Sequence, residues 1–309
     1  MIDTRRLRLL LELSRRGTIT AVADALAYTP SAVSQQLAAL EREAGVPLLE
    51  RAGRRVALTP AGTVLARYAQ SVLAVLEEAS AALAATRDSL TGPLRIGAFP
   101  TAARAILPPA LIALGRDHPA LELMVTELDP VAVPDALRTG TLDVALTFTY
   151  DYVPTQPDPA LDAEPLLTEA VYLATDGPAH VSIGDCRDAP WIAGSPDTLC
   201  HTMLVRACQA SGFTPRIRHY ADDFATVLAL VAAGQGVSLV PQLGAPDTPH
   251  GVTLTALSAC RHTQIAYRKG TRHHPAVSAF AEAIREPATR CLPASRPTGI
   301  RLGRVSDDE

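Results

Sequence analysis

Residues 21–40 read Ala21-Val22-Ala23-Asp24-Ala25-Leu26-Ala27-Tyr28-Thr29-Pro30-Ser31-Ala32-Val33-Ser34-Gln35-Gln36-Leu37-Ala38-Ala39-Leu40, and this stretch decides the fold. Val22, Ala23 and Leu26 share one face of a short helix, Thr29-Pro30 supplies a turn, and Val33, Leu37 and Leu40 recur at helical spacing on a second helix capped by Ser31. Two helices joined by a tight turn, the second opening on small polar residues, make a helix-turn-helix whose second helix enters the major groove. Small residues at its start let the backbone approach DNA, and hydroxyls and amides reach what lies there. Thr29, Pro30, Ser31, Ser34, Gln35 and Gln36 are therefore the expected DNA contacts. Gln pairs bidentately with adenine, whereas Ser and a helix N-terminus suit phosphates. Other Ser-rich amphipathic helices share this texture, so the pattern alone leaves a purely structural helix open.

Upstream, Leu7, Leu10, Leu11 and Leu13 mark one face of a helix over 3–16 that Gly17 stops, with Thr18 or Thr20 as the next cap. Downstream, Gly45 ends the second helix of the motif, and residues 51–58 read as a hairpin whose basic tip brings Arg54 and Arg55 to the DNA backbone or minor groove. The net charge of −4 argues against a nucleic-acid binder, but it is unevenly spread. Residues 1–58 carry nine arginines against six acids, and residues 91–309 carry 17 basic against 23 acidic residues, as an N-terminal DNA module on an acidic body would. The preference for Arg, with Lys269 the sole lysine, fits a GC-rich coding sequence equally well.

Thr59-Pro60-Ala61-Gly62 opens a long helix, with Thr59 as cap and Pro60 at the tolerated first position. Its apolar stripe runs Leu65, Tyr68, Val72, Leu76, Ala79, Leu83, Thr86, Leu90, in steps of three and four. A seam of about 26 residues is roughly 39 Å long at 1.5 Å per residue and needs a partner. A second chain, touched by Leu65, Tyr68, Val72, Leu76 and Leu83, is favoured over the chain's own body because the stripe is narrow. From Gly92-Pro93 strands and helices alternate. Strands are expected at 94–98, 121–127 and 142–147 with helices at 102–117 and 131–139 between them. A second series has strands at 166–174, 191–193, 216–220 and 237–240, with helices at 198–211 and 223–233. A strand at 263–268 and a helix at 275–286 follow. Such alternation implies a parallel sheet, and residues beyond Pro293 lack any periodicity.

The run from Ala21 to Leu37, together with Leu40-Glu41-Arg42-Glu43-Ala44-Gly45-Val46-Pro47-Leu48-Leu49-Glu50-Arg51 and the junction Leu58-Thr59-Pro60-Ala61-Gly62, closely resembles the LysR-type transcriptional regulators. The resemblance continues through Gly140-Thr141-Leu142-Asp143-Val144-Ala145-Leu146 and Ala232-Ala233-Gly234-Gln235-Gly236-Val237-Ser238-Leu239-Val240-Pro241, covering about residues 2–290. Tyr28, Thr29 and Leu49, where Phe is common, are its departures. It implies an α+β multi-domain chain: a winged helix-turn-helix over 1–60, a linker and dimerisation helix over 61–90, and a C-terminal two-lobed α/β effector domain of periplasmic-binding-protein type. Lobe one spans 91–165 and 266–290, lobe two spans 166–265, and 291–309 form a disordered tail.

Ligands of open α/β sheets bind beyond strand C-termini, where helix N-termini present free amides. Pro100, Thr101 and Ala102 follow the first strand, Ser195 and Asp197 follow a strand of the second series, and Asp222 precedes its second helix. Thr147, Phe148 and Pro241 stand at strand ends. These nine are the expected effector contacts, although Thr101, Ser195 and Asp222 serve equally as helix caps. The resemblance places inducer contacts at positions matching Thr101 and Ser195. It also implies double-stranded operator DNA, a small-molecule effector, further copies of the chain as dimer or tetramer, and RNA polymerase as partners.

Cys200 and Cys208 lie in the region of the paired cysteines of the family's peroxide-sensing branch. Eight residues along a helix separate Cα atoms by roughly 12 Å, beyond the 7 Å or so that a disulfide spans, so the expectation is that they are small buried hydrophobes. No catalytic motif, metal-ligand spacing or cofactor fingerprint appears, so neither enzyme activity nor a cofactor or metal is expected. The first residues lack the apolar core of a signal peptide, no apolar run reaches bilayer length, and five cysteines show no paired spacing, so a cytoplasmic protein without membrane contact is expected. A transporter's solute-binding protein, sharing the C-terminal fold, is the alternative that the N-terminal module argues against. For DNA reading, Gln35→Ala should weaken binding selectively at the cognate operator, while Arg54→Ala should weaken it on all sequences and flatten its salt dependence, as gel shifts at two salt concentrations would show.

Overall fold

The computed structural model describes residues 2–52, 55–87, 89–177 and 181–291. Three helices, α1 (Thr4–Arg16), α2 (Ile19–Leu26) and α3 (Pro30–Ala44), pack around Leu7, Leu10, Leu13, Val22, Val33, Leu37 and Leu40, all at most 4% exposed. The hairpin β1 (Leu49–Ala52) and β2 (Arg55–Leu58) pairs Leu49 with Leu58 and Ala52 with Arg55. The cap of α3 differs from the expected Ser31. Thr29 accepts the Ala32 amide at 3.2 Å, and Pro30 takes the first helical position, where a missing N–H costs nothing.

The long helix α4 (Pro60–Ala85) is capped by Thr59, whose hydroxyl accepts the Gly62 amide at 3.0 Å. A Cβ on Gly62 would lie 2.1 Å from the carbonyl oxygen of Leu48, so only glycine lets the helix start so close to the wing. Two faces of α4 differ. Ala66 and Ala69 close the helix-turn-helix core, with Leu65 packed beside them, and Ala74 and Ala81 are also buried. Gly270, at φ +93, brings its backbone against the Ala74 carbonyl, where a Cβ would approach to 2.3 Å. The other face exposes Tyr68 (61%), Val72 (42%), Val75 (60%), Leu76 (44%) and Leu83 (71%). The helix ends before Thr86, so Leu90 stands outside it and packs on the next domain.

The α/β part has two lobes. The first contains β3 (Gly92–Ala98), α5 (Pro100–Ala105), α6 (Leu107–Asp117), β4 (Leu121–Glu127), α7 (Val133–Thr139) and β5 (Val144–Tyr150). The single helix expected over 102–117 is two, because Pro108 and Pro109 fix a new helix start after Ile106. A long strand, β6 (Leu161–Thr175), carries the chain into the second lobe: β7 (Pro190–Ala193), α8 (Leu199–Ala210), β8 (Arg216–Tyr220), α9 (Phe224–Ala232) and β9 (Ser238–Pro241). The 16-residue β10 (Thr253–Arg268) returns it, ten residues longer than the expected 263–268 segment, and α10 (Pro275–Ala283) and α11 (Arg285–Cys291) cover lobe one.

The sheet is mixed rather than parallel, in order β4-β3-β5-β10-β6-β9. β3 runs parallel to β4 and β5, and β7 parallel to β8, but β10 is antiparallel to both β5 and β6. Crossing between lobes twice forces those two long strands to run in opposite directions. Amide-to-carbonyl bonds of 2.9 Å from Ile192 to Val237 and from Val237 to Pro190 join β7 to the segment that leads into β9. No helix among the described residues is long and apolar enough to cross a membrane.

An ionic junction ties α1 to lobe one. Glu12, 2% exposed, accepts from Arg15 at 3.0 Å and Arg16 at 2.9 Å, and Arg138 of α7 approaches it at 3.6 Å. Arg16 in turn pairs with Asp135, and Arg138 with Asp158 and Asp135. The two hydrogen bonds that satisfy this buried carboxylate come from its own helix, and the ion pairs of Arg16 with Asp135 and of Arg138 with Glu12 carry the junction to lobe one. Glu12→Ala should weaken this junction by about 1–3 kcal/mol, seen in hydrogen exchange as lost protection of α1 with β3 and β5 unchanged.

Candidate DNA interface and effector cleft

Thr29, Pro30, Ser31, Ser34 and Gln35 are exposed along the start of α3, with Thr29 and Ser31 hydroxyls 3.1 Å apart. All five lie on the side away from Val33, Leu37 and Leu40, so none has a core duty. Gln36 differs. It is half-buried, and its Oε1 accepts from Arg6 Nε at 2.9 Å, which also pairs with Glu43. It therefore braces α3 against α1, leaving only its amide NH2 for other partners. Arg54 lies outside the described residues, and Arg55 is described as a β2 backbone position.

Between the lobes lies a cavity of about 600 Å³. Of the nine residues expected there, Pro100, Thr101, Phe148 and Asp222 line it. Ala102 is fully buried in the lobe-one core, one residue too far along α5. Thr147 faces the opposite side of β5 from Phe148, as strand alternation requires. Pro241 pairs with Val171 inside the sheet, and Asp197 is exposed in a left-handed turn at φ +73. Ser195 stands behind the wall and acts through another residue: its amide and hydroxyl donate to the two oxygens of Asp222 at 2.7 and 2.6 Å.

The floor of the cavity is Arg261, on β10 and 1% exposed. Its Nε donates to Glu169 Oε1 at 2.7 Å, and Nη2 reaches the same oxygen at 2.7 Å and Thr101 Oγ1 at 2.9 Å. The guanidinium carbon lies 4.8 Å from the ring centroids of both Phe99 and Phe148, which meet edge to face. Glu169, also buried, accepts the Leu243 amide at 2.6 Å. Burial opposes the charge on Arg261, but Glu169, together with Tyr150 and Cys200, outweighs it and holds the guanidinium above its ordinary value. The strand assignment that began at residue 263 missed this group. A lone arginine ahead of Ile265-Ala266-Tyr267 was its only signal.

Cys200 lines the adjoining wall, with the buried Tyr150 hydroxyl 3.5 Å from its thiol. Burial pushes Tyr150 well up and raises Cys200, and it lifts Cys208 to about 12. Both cysteines on α8 are thus neutral thiols, the opposite of the thiolate on which cysteine reactivity depends. The lining also carries Arg104, Glu127 and Asp129, none anticipated from sequence, and Asp223 of the Ala221-Asp222-Asp223 helix start. Asp223 caps α9 through Thr226, at 3.0 Å to both amide and hydroxyl. Asp129 accepts the Val131 amide at 2.9 Å; burial raises its carboxyl above the usual range, and the charge of Asp222 adds to this. Among the described residues no cluster of His, Cys, Asp and Glu is arranged to hold a metal.

Comparison with known proteins matches residues 4–63 to the family model for bacterial regulatory helix-turn-helix proteins of the lysR family, and residues 87–288 to that for the LysR substrate binding domain. A probable hydrogen peroxide-inducible genes activator of Mycobacterium avium is 32% identical over 248 residues, 78% of each chain. The transcriptional dual regulator GltC of Bacillus subtilis is 28% identical over 78% of this chain and 81% of its own. Among solved structures, a cysteine mutant of OxyR from Corynebacterium glutamicum superposes with a TM-score of 0.57 at 27% identity, covering 94% of this chain and 93% of that one.

Removing one member of the floor pair strands the other in a dry site. Arg261→Met should cost about 3–5 kcal/mol of stability. Adding Glu169→Gln, which keeps an acceptor for the Leu243 amide, should recover at least half of it in a double-mutant cycle followed by thermal unfolding.

Proposed function

Because the chain belongs to the LysR family of bacterial transcriptional regulators, we propose that it binds its operator as a dimer and changes the geometry of that complex when a small molecule enters the cleft between its lobes. The observation that carries this reading is the double duty of α1. Its leucine face builds the helix-turn-helix core, and its Glu12-Arg15-Arg16 face is ion-paired to the lobe that lines the cleft. DNA-reading and ligand-holding parts therefore share one rigid connection.

On this reading residues 1–60 bind DNA. Gln35 reads a base edge, Ser31, Ser34 and the N-terminus of α3 hold phosphates, and Arg54 and Arg55 follow the backbone from the wing. Residues 61–90 pair two chains through Tyr68, Val72, Leu76 and Leu83, joined by Val75, all of which are open in the single chain. Leu65 contributes only at the edge, since it already packs on its own domain. Residues 91–165 with 266–290, and 166–265, form the two sensor lobes. Higher assembly to a tetramer and contact with RNA polymerase belong to the same scheme, as does work in the cytoplasm, where the operator is.

Peroxide sensing of the kind named in the Mycobacterium avium relative is not adopted. Cys200 and Cys208 sit on one helix with thiols that burial keeps protonated.

The test joins assembly to DNA binding. Leu76→Asp should convert the dimer to monomer in sedimentation velocity and abolish protection of paired half-sites in footprinting of operator DNA selected from genomic fragments. An unchanged sedimentation coefficient with an intact footprint would refute the pairing role of α4.

A further inference from the structure

The cleft has an unusual charge arrangement for a site that must hold a ligand. Its one deep cation, Arg261, is cancelled by Glu169 immediately behind it. Ser195, whose amide and hydroxyl stand at the end of β7 as a ready seat for a carboxylate, already holds one, that of Asp222. An anionic effector at that seat would have to displace Asp222 and then sit beside it, and the cavity's other cation, Arg104, already acts on the carboxylate of Asp223.

Asp129, from the other lobe, lines the same cavity as Asp222. Among the described residues neither forms an ion pair: Asp129 accepts only a backbone amide, and Asp222 accepts only from Ser195. The two carboxylates are close enough for the charge of one to act on the other, and the Cys200 thiol lies within electrostatic reach of both and of Arg261. Two carboxylates on opposite lobes repel one another, and a positive charge between them relieves that repulsion.

The inner end asks for something different. Arg261 Nε and Nη2 are committed to Glu169 and Thr101, but Nη1 has no hydrogen-bond partner among the described residues, on a side chain 1% exposed that forms part of the cavity wall. A guanidinium N–H there calls for an oxygen acceptor. Phe99 and Phe148 on either side of it favour a flat or apolar body between the two ends.

We propose that the effector is a small organic amine, positively charged at neutral pH, whose ammonium group lies between Asp129 and Asp222 and whose opposite end offers an oxygen to Nη1 of Arg261. The inference rests on the cleft being the effector site. It adds the charge of the ligand and the direction in which it lies. By linking carboxylates from both lobes, such a ligand would draw them together, so binding and closure become one event.

Three probes with one body and different heads separate the cases: tyramine, tyrosol and 4-hydroxyphenylacetate, each carrying a ring hydroxyl for Arg261. Calorimetric titration of the full chain should rank tyramine about tenfold or more above tyrosol, the size expected of a charged hydrogen bond, with the carboxylate weakest. Asp129→Asn and Asp222→Asn, singly and together, should erase the difference between tyramine and tyrosol. The proposal is overturned if the carboxylate binds tightest, if all three bind alike, or if the double variant keeps its preference for tyramine. Ala221→Trp, which fills the cavity, tells the two failures apart. A carboxylate preference abolished by Ala221→Trp keeps the cleft and overturns the amine, whereas binding untouched by Ala221→Trp overturns the cleft itself.

Discussion

Arg261 is a permanent cation almost without contact with water, and the organisation of the sensor domain follows from how that cation is accommodated. Its charge is met by Glu169 on the neighbouring crossover strand, and a remaining N–H is met by Thr101 at the start of a lobe-one helix. Glu169 uses its second oxygen to hold the Leu243 backbone of lobe two. One ion pair therefore touches both crossover strands and both lobes. A buried pair of this kind adds little net stability, because desolvation consumes most of the Coulomb gain. What it does is specify: only one arrangement of strands and lobes satisfies every donor and acceptor, and every other arrangement leaves a bare charge in an apolar interior.

Local chemistry made most of the architecture legible in the sequence. The apolar spacing of Leu7 to Leu13 and of Val33 to Leu40, the Thr59-Pro60 cap, and the alternation beyond Gly92 each reflect short-range rules, and the elements formed where those rules point. The departures have equally local causes. Pro30 shifted a cap, and the Pro108-Pro109 pair divided a helix. The long strands β6 and β10 were underestimated because their middle segments, such as Ser258-Ala259-Cys260-Arg261-His262, lack a strict alternation of apolar and polar residues. They are held as strands by neighbours distant in sequence, which no window of residues contains.

The cleft was less legible than the fold. Pro100, Thr101, Phe148 and Asp222 follow from the rule that ligands lie beyond strand ends. Arg261, Glu169 and Asp129 do not, since each acquires meaning only from a partner 74 to 160 residues away. Ser195 shows the intermediate case: its position at a strand end was readable, but its engagement with Asp222 was not.

The connection between the lobes has a mechanical consequence. Among the described residues, only β6 and β10 carry the chain from one lobe to the other, and they are hydrogen-bonded to each other along most of their length. A pair of hydrogen-bonded strands resists stretching and in-plane bending but yields readily to torsion about its long axis. With α1 and Gly270 fastening lobe one to the DNA-binding module and to α4, lobe two is held through the sensor domain alone, by those two strands and by the Tyr150–Cys200 and Glu169–Leu243 bonds. Any turn of lobe two against the DNA-binding module therefore has to pass through the twist of a two-stranded ribbon.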